Sequence, residues 1–462
     1  MVFSSISFIF IILPLFLSFD FLAKKYCANI AWRNTVMLAV SLLFYLWGEA
    51  ANIFILFGLG VFNYLAGRII ATVGKNKIWL CGISISIDLA VLISFKYASW
   101  LVTLLIPGIS FKTYVMPLGI SFFTFHAVSY LFDVYRGKML PAKSPLDFLT
   151  YFCMLSHLVA GPIVRYAQVA GNLNSRGPSK DLFSFGMYRF LVGLNKKVII
   201  ANSVSVIADN AFSLSAMGGL HSSDAWLGIL AYTIQIYFDF SGYSDMAIGL
   251  AAMAGFQFEE NFQRPYSSAT IKDFWRRWHI SLSSWFRDYM YIPLGGNKRG
   301  NAATYRNLLL VFFFCGLWHG ADLSFIIWGL WHGGFLILER LKFGRWISRL
   351  PLPLGRIYVM LVVVIGWVFF RAKNMEAAFA YLTTMFTPNF TEPILIYYSQ
   401  AFFALIAGIC ICLLPDQYLP APTSKTPEAF SLKSYIPQVL IAAVSVAFLF
   451  ASSRNPFIYF NF

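Results

Sequence analysis

The stretch FFFCGLWHGADLSFIIWGLWHGGF, residues 312–335, decides how the chain is interpreted. It is almost entirely apolar, yet His319 and His332 each stand in the phrase Trp-His-Gly. An imidazole in hydrocarbon costs free energy unless it has a polar partner or faces a water-filled cavity. Either the two histidines anchor helix ends at the membrane interface, beside aromatic residues, or they line a functional cavity. The rest of the sequence has to separate these alternatives.

The composition is that of a membrane protein. Hydrophobic residues make up 59% of the 462 residues, charged residues make up 12%, and the mean hydropathy is +0.68. The formal charge of +15 could suggest nucleic-acid binding, but the lysines and arginines lie in short loops between apolar runs. The positive-inside rule predicts that pattern. We therefore expect a chain surrounded by membrane lipid, with no nucleic-acid partner.

Apolar runs long enough to cross most of a bilayer recur along the whole chain. They lie at about residues 4–22, 34–48, 51–71, 78–106, 115–132, 148–170, 183–207, 225–255, 307–320, 322–339, 355–371, 398–415 and 436–452. Because several runs contain polar breaks, we predict an all-α polytopic membrane protein with roughly eleven transmembrane helices plus re-entrant or amphipathic helices. The proline-rich residues 414–428 predict a surface loop before the last span.

The first loops predict the orientation. The first run begins without a basic region, and Lys24 and Lys25 follow it, which indicates a retained span rather than a cleaved signal peptide. Basic residues also follow the third run, whereas Glu49 is the only charged residue in the connection between the second and third runs. This alternation predicts an extracytoplasmic N-terminus.

Cysteine and histidine spacing gives no indication of a metal centre. The six cysteines form no CxxC pair, and most lie in apolar runs, where a reduced cysteine acts as a small hydrophobic residue. The six histidines are scattered, without an HExxH spacing. We expect neither a disulfide framework nor a zinc site, and no bound metal.

The densest polar and aromatic segment is DFWRRWHISLSSWFRDYMYIPLGGN, residues 273–297. At about 100° per residue, its aromatic side chains share one arc, Arg276, Arg287 and Asp288 lie on the other side, and His279 lies just beyond the apolar edge. One interpretation is an interfacial amphipathic helix with its arginines toward the headgroups. The other is a re-entrant helix that lines a polar pocket, with His279 directed inward, and that ends at the proline and glycines.

The segment YFDFSGYSDMAI, residues 237–248, places Asp239 and Asp245 in an otherwise apolar run, where Gly242 suggests a break in the helix. Carboxylates at membrane depth need hydrogen bonds or a cation. A structural cluster that pairs with Arg276 or Arg277 is favoured over a catalytic dyad. 

A third polar insertion is SHLVAGPIVR, residues 156–165, in which His157 and Arg165 flank a Gly-Pro break. Proline cannot donate the helical hydrogen bond, so the helix is expected to break there. A broken helix with polar flanks fits the wall of a cavity.

These phrases together resemble a known family. They are HLVAGPIVR (157–165), YFDFSGYSDMAIGL (237–250), ENFQRPY (260–266), FWRRWHISLSSWFRDYMYIPLGGN (274–297) and LWHGADLSFIIWGLWHG (317–333). The chain resembles the membrane-bound O-acyltransferase superfamily, specifically its bacterial alginate O-acetyltransferase branch, and its opening MVFSSISFIFIILPLF and ending NPFIYFNF are similar too. We expect a single domain over residues 1–462, with core motifs at 150–340 and C-terminal helices at 355–462.

The resemblance implies many helices around a central cavity, with a narrow tunnel that joins the two leaflets of the bacterial inner membrane. It also implies that acyl groups pass from a cytoplasmic donor, expected to be acetyl-CoA, toward an acceptor on the far side, with no bound cofactor. His319 matches the family's defining histidine, and His279 matches its second polar residue. The resemblance gives no catalytic role to His332.

Acyl transfer to a hydroxyl needs a base for the proton and donors for the developing oxyanion. We predict that His319 is the base, because histidine has a suitable intrinsic pKa. We also predict that His279, helped by Trp278, Arg287 or a backbone N–H, orients the acyl carbonyl or the acceptor. Further candidates to line the tunnel or contact substrate are Trp278, Arg276, Arg287, Asp288, Trp318, Asp239, Asp245 and Tyr243.

The chain contains no Gly-Asp-Ser or G-x-S-x-G nucleophile. The resemblance implies that a separate periplasmic, serine-dependent O-acetyltransferase places the acyl group on a polysaccharide. Alginate is the first expectation for that polymer, with peptidoglycan and cellulose as alternatives. A transporter of polysaccharide or solute would suit the polar breaks equally well, and a scaffold for an exopolysaccharide complex is a third interpretation.

Overall fold

The computed structural model describes residues 2–27, 29–106, 115–177, 179–389, 393–414 and 432–451, and throughout these ranges the regular elements are helical. The first ten helices are α1 (Leu13–Tyr26), α2 (Ile30–Glu49), α3 (Ile53–Thr72), α4 (Lys77–Lys96), α5 (Ala98–Leu105), α6 (Ile120–Tyr135), α7 (Pro145–Phe152), α8 (Leu155–Leu158), α9 (Tyr166–Asn174) and α10 (Lys180–Asn195). The others are α11 (Asn202–Ala216), α12 (Ser222–Met253), α13 (Ile271–Arg277), α14 (Ile280–Phe286), α15 (Gly300–His319), α16 (Leu323–Leu338), α17 (Lys342–Ile347), α18 (Leu352–Arg371), α19 (Met375–Phe386), α20 (Ser399–Leu413) and α21 (Leu432–Ala451). The predicted all-α class is confirmed.

Several of these helices have the length and hydropathy of membrane spans. In the described ranges, four segments are long and apolar enough to cross a membrane: Ile30–Thr72, Lys77–Lys96, Lys180–Ala216 and Leu352–Arg371. Three shorter apolar helices are Leu323–Leu338, Ser399–Leu413 and Tyr435–Ala451. The protein is therefore a polytopic membrane protein. The total of roughly eleven spans and the central tunnel stay predictions.

Two predictions for the C-terminal region concern residues beyond those described. The loop predicted at 414–428 lies, apart from Leu414, outside the described residues. The terminal phrase NPFIYFNF lies outside them as well.

The described residues form two compact units, and the first contains those from 2 to 194, 243 to 259 and 432 to 451. Within it, α2 packs on α1 and α7, while α6 packs on α3 and α4. Between α7 and α9 the chain is irregular except for the short α8, and all residues from 155 to 164 are buried. Non-helical backbone at membrane depth is tolerated where protein covers it. The helix break predicted in SHLVAGPIVR is therefore confirmed.

Of the described residues, the second unit contains 195–242, 260–389 and 393–414. Within it, α15 and α16 form a hairpin, α16 packs on α13 and α18, and α13 packs on α14. Helix α12 contributes residues to both units and is continuous through Gly242, so the break expected there is wrong. A single glycine costs a helix only about 1 kcal/mol. The neighbouring carboxylates Asp239 and Asp245 have cationic partners within the protein, so no break is needed to satisfy them.

Two glycines set the separation of α15 and α16. A Cβ atom at Gly316 would lie 2.2 Å from the carbonyl oxygen of Phe325, and one at Gly329 would lie 2.1 Å from the carbonyl oxygen of Phe312. No other residue fits at this distance, so the two backbones meet more closely than side chains would allow. His319 is the last residue of α15, three positions after Gly316, and its place depends on this contact.

We predict that Gly316→Ala and Gly329→Ala each destabilise the protein, because the added methyl group forces the helices apart. Overpacking of this kind typically costs about 1–3 kcal/mol. The measurement is the midpoint of thermal unfolding of the purified protein in detergent. Gly334→Ala in α16 is the matched control, because a Cβ there meets nothing within 4 Å. Equal unfolding temperatures for all three variants and the wild type would contradict the prediction.

Candidate active site

The segment around His279 is two helices rather than the single amphipathic helix expected from its periodicity. Helix α13 ends at Arg277, α14 begins at Ile280, and His279 between them has left-handed backbone angles, with φ 42° and ψ 57°. Hydrogen bonds from a preceding loop hold the break open: Gln263 N donates to Arg277 O at 2.9 Å, and Ile280 N donates to Asn261 O at 2.9 Å. A non-glycine residue in this conformation is strained, and such strain is typical of functional sites.

The segment ends at the proline and glycines, as the sequence predicts. A π-helical turn, Arg287–Tyr291, continues α14, and the chain then turns through Gly295 and Gly296. Both glycines have positive φ, at 103° and 54°, which other residues rarely adopt. The predicted end of the helical segment is confirmed.

The side chain of Asn261 fixes the proton position on His279. Its Oδ1 accepts hydrogen bonds from the backbone N–H and the hydroxyl of Ser281, at 3.2 and 2.8 Å, and lies 3.2 Å from His279 Nδ1. Since the backbone N–H can only donate, this Asn261 atom is the carbonyl oxygen, and a neutral His279 carries its proton on Nδ1. Its Nε2 then presents a lone pair, and this atom is buried without a hydrogen-bond partner among the residues that the structure describes.

His319 is enclosed by aromatic rings. Its side chain is only 5% exposed, and the ring centroids of Trp318, Trp328 and Phe370 lie 4.8, 5.0 and 5.0 Å from its own. All three contacts are edge-on. An interfacial anchor would be exposed toward headgroups and water, so the interfacial interpretation is wrong for His319.

His332 is buried more deeply. Its ring lies 5.2 Å from Trp275 and 5.4 Å from Trp328, and a Cβ atom at Gly366 would lie 2.9 Å from its Nε2. Neither ring nitrogen has a hydrogen-bond partner within the described part of the chain. His332 is therefore a core residue of the second unit and not an interfacial anchor.

Tryptophans connect the two histidines that were predicted to be catalytic. Trp318 is buried, and its ring centroid lies 6.3 Å from His279 and 4.8 Å from His319. Trp278 is also buried and packs 5.0 Å from Trp367. The structure thus brings His279, His319, Trp318 and Trp278 into one aromatic cluster of the second unit.

Four other predicted site residues lie outside this aromatic cluster. Arg276 is exposed, and Arg287 is exposed and forms an ion pair with Asp288, at 2.7 Å. Tyr243 belongs to the first unit, where it stacks on Phe3 with a centroid separation of 4.6 Å. These four residues are not part of the aromatic cluster around His319 as it is described above.

The two intramembrane aspartates have structural partners. Asp239 pairs with Lys197 at 2.6 Å in the second unit, and Asp245 pairs with Arg189 at 2.5 Å in the first. All four side chains are buried, and neutralisation by a cation lets a carboxylate remain in the interior. The partners expected from the sequence are wrong, because Arg277 instead pairs with Asp273 one helical turn before it, at 2.9 Å.

Sequence reasoning missed two residues of this region. Asn261, in the phrase ENFQRPY, is the first: its buried side-chain amide contacts His279 and orients the imidazole ring. Lys197 lies inside the apolar run 183–207, where an isolated lysine indicates a buried anionic partner, and its partner is Asp239.

Comparison with known proteins identifies the family. The model of the membrane-bound O-acyltransferase family matches residues 118–383, which include His279 and His319. The chain belongs to the membrane-bound O-acyltransferase family. It is therefore an O-acyltransferase, which disfavours the transporter and scaffold interpretations.

Individual relatives agree with the family assignment. The chain is 44% identical over 399 residues to a probable alginate O-acetylase of Pseudomonas aeruginosa, covering 84% of this chain and 75% of that protein. It is 39% identical over 494 aligned positions to one from Pseudomonas putida, covering 100% of both. A peptidoglycan O-acetyltransferase of Helicobacter pylori is 32% identical over 527 positions, covering 100% of this chain and 98% of that protein.

We predict that Asn261→Ala lowers the rate of acyl transfer by about ten- to a hundredfold. The change removes the acceptor that holds His279 and leaves buried donors unpaired, which costs about 1–3 kcal/mol. Asn261→Asp keeps an acceptor oxygen at the same position and is expected to retain more activity than the alanine variant. The measurement is acyl ester formation in membranes, normalised to protein abundance. A folded, abundant Asn261→Ala variant with the wild-type rate would show that this contact has no part in the site.

Proposed function

We propose that this protein transfers an acetyl group from acetyl-CoA on the cytoplasmic side of the bacterial inner membrane for O-acetylation of an extracytoplasmic polysaccharide, with alginate as the polymer. The observation that carries the proposal is the buried pair His279 and His319 on either side of Trp318. The pair lies in an acyltransferase that is 39% identical along its whole length to a probable alginate O-acetylase.

In this proposal His319 is the general base. It takes the proton of the acceptor hydroxyl as the hydroxyl oxygen attacks the thioester carbonyl. The new ester bond forms, the carbon–sulfur bond breaks, and the proton passes to the departing thiolate. The three rings around His319 limit the access of water, which strengthens electrostatic interactions at the reacting atoms. A base in this role is typically worth about 10²–10⁴ in rate.

His279 has a more specific role than the sequence suggested. With its proton on Nδ1 and directed to Asn261, a neutral His279 offers only a lone pair at Nε2. It therefore suits a group that accepts a hydrogen bond from a second donor group of the acceptor, since the attacking hydroxyl gives its only proton to His319, rather than one that donates to the acyl carbonyl. The alternative in which His279 orients the acceptor is favoured.

The donor for the acyl carbonyl is then a different group, and Trp328 fits that role. Its ring lies 5.0 Å from that of His319, it is 1% exposed, and its Nε1 has no hydrogen-bond partner among the described residues. A preorganised buried N–H is what an oxyanion requires. We assign Trp328 to the stabilisation of the carbonyl oxygen as charge develops.

A partner completes the reaction in this proposal. The resemblance to the alginate O-acetyltransferase branch implies a periplasmic serine-dependent O-acetyltransferase that accepts the acetyl group and places it on the polymer, and the lack of a serine nucleophile phrase in this chain agrees with that division of labour. An extracytoplasmic N-terminus, predicted from the basic loops, agrees with export in that direction.

Peptidoglycan is the second candidate polymer. The Helicobacter pylori relative, named a peptidoglycan O-acetyltransferase, also matches this chain along its full length, although at the lower identity of 32%. The acyl chemistry would be the same with either polymer. The choice therefore depends on the partner and the acceptor rather than on His319.

We predict that His319→Gln lowers acetylation of alginate by about 10²–10⁴, to below detection, because the base is lost. The protein is expressed in an alginate-producing bacterium that lacks its own O-acetylase, and acetyl esters per uronate are counted by proton NMR. His332→Gln is the matched control, since it changes the same residue type in the same Trp-His-Gly phrase. It is expected to stay within about tenfold of wild type.

Protein abundance in the membrane is measured for both variants. Near-wild-type acetylation by an abundant His319→Gln variant would refute the assignment of the base. Acetyl esters on muramic acid in peptidoglycan, with none on alginate, would replace alginate by the second candidate.

A further inference from the structure

Glu339 joins the end of α16 to the start of α13, and the proposed mechanism gives it no role. It follows directly after α16 and is partly buried. Its Oε1 accepts a hydrogen bond from the backbone N–H of Ile271 at 2.5 Å, and its Oε2 accepts one from the backbone N–H of Lys272 at 3.0 Å. Ile271 and Lys272 are the first two residues of α13, so one carboxylate satisfies two donors that have no partner within the helix.

Tyr358 of α18 makes a third hydrogen bond to the same carboxylate. Its hydroxyl donates to Oε1 of Glu339 at 3.3 Å. A carboxylate can accept from several donors at once, and hydrogen bonds to a charged group are stronger than those between neutral groups. The start of α13, the end of α16 and α18 are therefore joined through the side chain of Glu339.

The position of α13 depends on contacts of this kind, because the helix is short. Its seven residues, Ile271–Arg277, span about 10 Å. Isolated helices shorter than about 12–15 residues are marginal in water, so tertiary contacts have to hold this one. Along its length, Trp275 packs edge-on against Trp328 of α16, with 5.8 Å between the ring centroids. At its two ends, the contacts are hydrogen bonds.

The other end of α13 leads directly into the strained histidine. Gln263 N donates to the carbonyl oxygen of Arg277, the last residue of α13, at 2.9 Å, and His279 two positions later has a φ of 42°. A shift of α13 would move Arg277 and change the approach of His279 Nδ1 to Asn261 Oδ1, which lie 3.2 Å apart. Glu339 and the loop that contains Asn261 therefore hold the same short segment from its two ends.

We propose that Glu339 is a positioning residue for acyl transfer, which acts through α13 to hold His279 in its left-handed conformation with the proton on Nδ1. The inference rests on the proposed function, in which His279 orients the acceptor. Glu339 is not a catalytic residue in this proposal, because its carboxylate contacts the start of α13 and Tyr358 rather than the reacting atoms. Its loss is expected to change the geometry of His279 and to leave the composition of the site intact.

The first measurement is acetyl ester formation in membranes, normalised to protein abundance. Glu339→Ala removes both acceptors at the start of α13 and is expected to lower the rate by about tenfold. Glu339→Gln keeps the side-chain length and one acceptor oxygen, so it is expected to recover part of that loss. A wild-type rate in an abundant Glu339→Ala variant would overturn the proposal, and so would a Glu339→Gln variant no faster than Glu339→Ala.

Glu376→Ala is the matched control, because Glu376 is an exposed glutamate in the first turn of α19. This variant makes the same change in side chain and charge without touching α13, and it is expected to keep the wild-type rate. An equal loss in Glu376→Ala would overturn the proposal, because a general effect of removing a surface carboxylate would then explain both results.

A second measurement reports on His279 without any acyl transfer. Nitrogen NMR of the purified protein with isotope-labelled histidine distinguishes the two neutral imidazole tautomers, and the signal of His279 is the one that His279→Gln removes. The wild type is expected to show only the form with the proton on Nδ1, and Glu339→Ala is expected to show a mixture. A change in global stability alone would leave the tautomer of the folded protein as it is, so an unchanged His279 signal in Glu339→Ala would overturn the proposal.

A double variant tests whether Glu339 and Asn261 act on the same histidine. Because both are proposed to hold His279, Glu339→Ala with Asn261→Ala is expected to be scarcely slower than Asn261→Ala alone. Losses that multiply would overturn the shared action. Absence of acetyl ester formation by the wild type would instead refute the proposed function, and the tautomer comparison would still decide whether Glu339 holds His279.

Discussion

Gly316 and Gly329 let the backbones of α15 and α16 approach until a Cβ atom would collide with a carbonyl oxygen of the facing helix. In a membrane, helices gain little from hydrophobic association, so close packing through small residues is a main source of helix–helix stability. This contact places His319 at the end of α15 and Trp328 opposite it on α16. Phe370 of α18 then closes the third side of the imidazole. The environment of the proposed base therefore depends on two residues that have no side chain.

The proposed site also depends on the hydrogen bonds that hold His279 in its conformation. A buried histidine in a left-handed conformation is strained, and the surrounding hydrogen bonds must hold it there. Asn261 supplies these bonds through its backbone carbonyl, which accepts from Ile280, and through Oδ1, which is shared by Ser281 and His279. The same contacts fix the proton on Nδ1. One asparagine thus accounts for both the break in the helix and the lone pair that His279 offers to substrate.

The sequence predicts the parts of this molecule that depend on local pattern. Apolar runs locate the helices, and the two phrases around His279 and His319 locate the buried cluster proposed as the site, because polar residues in hydrocarbon need polar partners or a cavity. The break between α13 and α14 could not be predicted, since local periodicity favours one helix and the competing hydrogen bonds come from Asn261 and Gln263 in the preceding loop. The pairing of Asp239 with Lys197 is likewise a contact between separate helical segments, and spacing alone suggested a different partner. The helix break and the partner of Asp239 therefore depend on hydrogen bonds and ion pairs between segments that are separate in the sequence.

In the proposed mechanism, His279 and His319 act on one acyl-transfer step from opposite sides of Trp318. The most direct measurement is a double-mutant cycle with His279→Gln and His319→Gln, read as single-turnover acetyl transfer by the purified protein. Residues that act as a unit show strongly non-additive losses. We expect the double variant to be scarcely slower than His319→Gln alone. Losses that multiply, with each variant lowering the rate by its own full factor in the presence of the other, would contradict it.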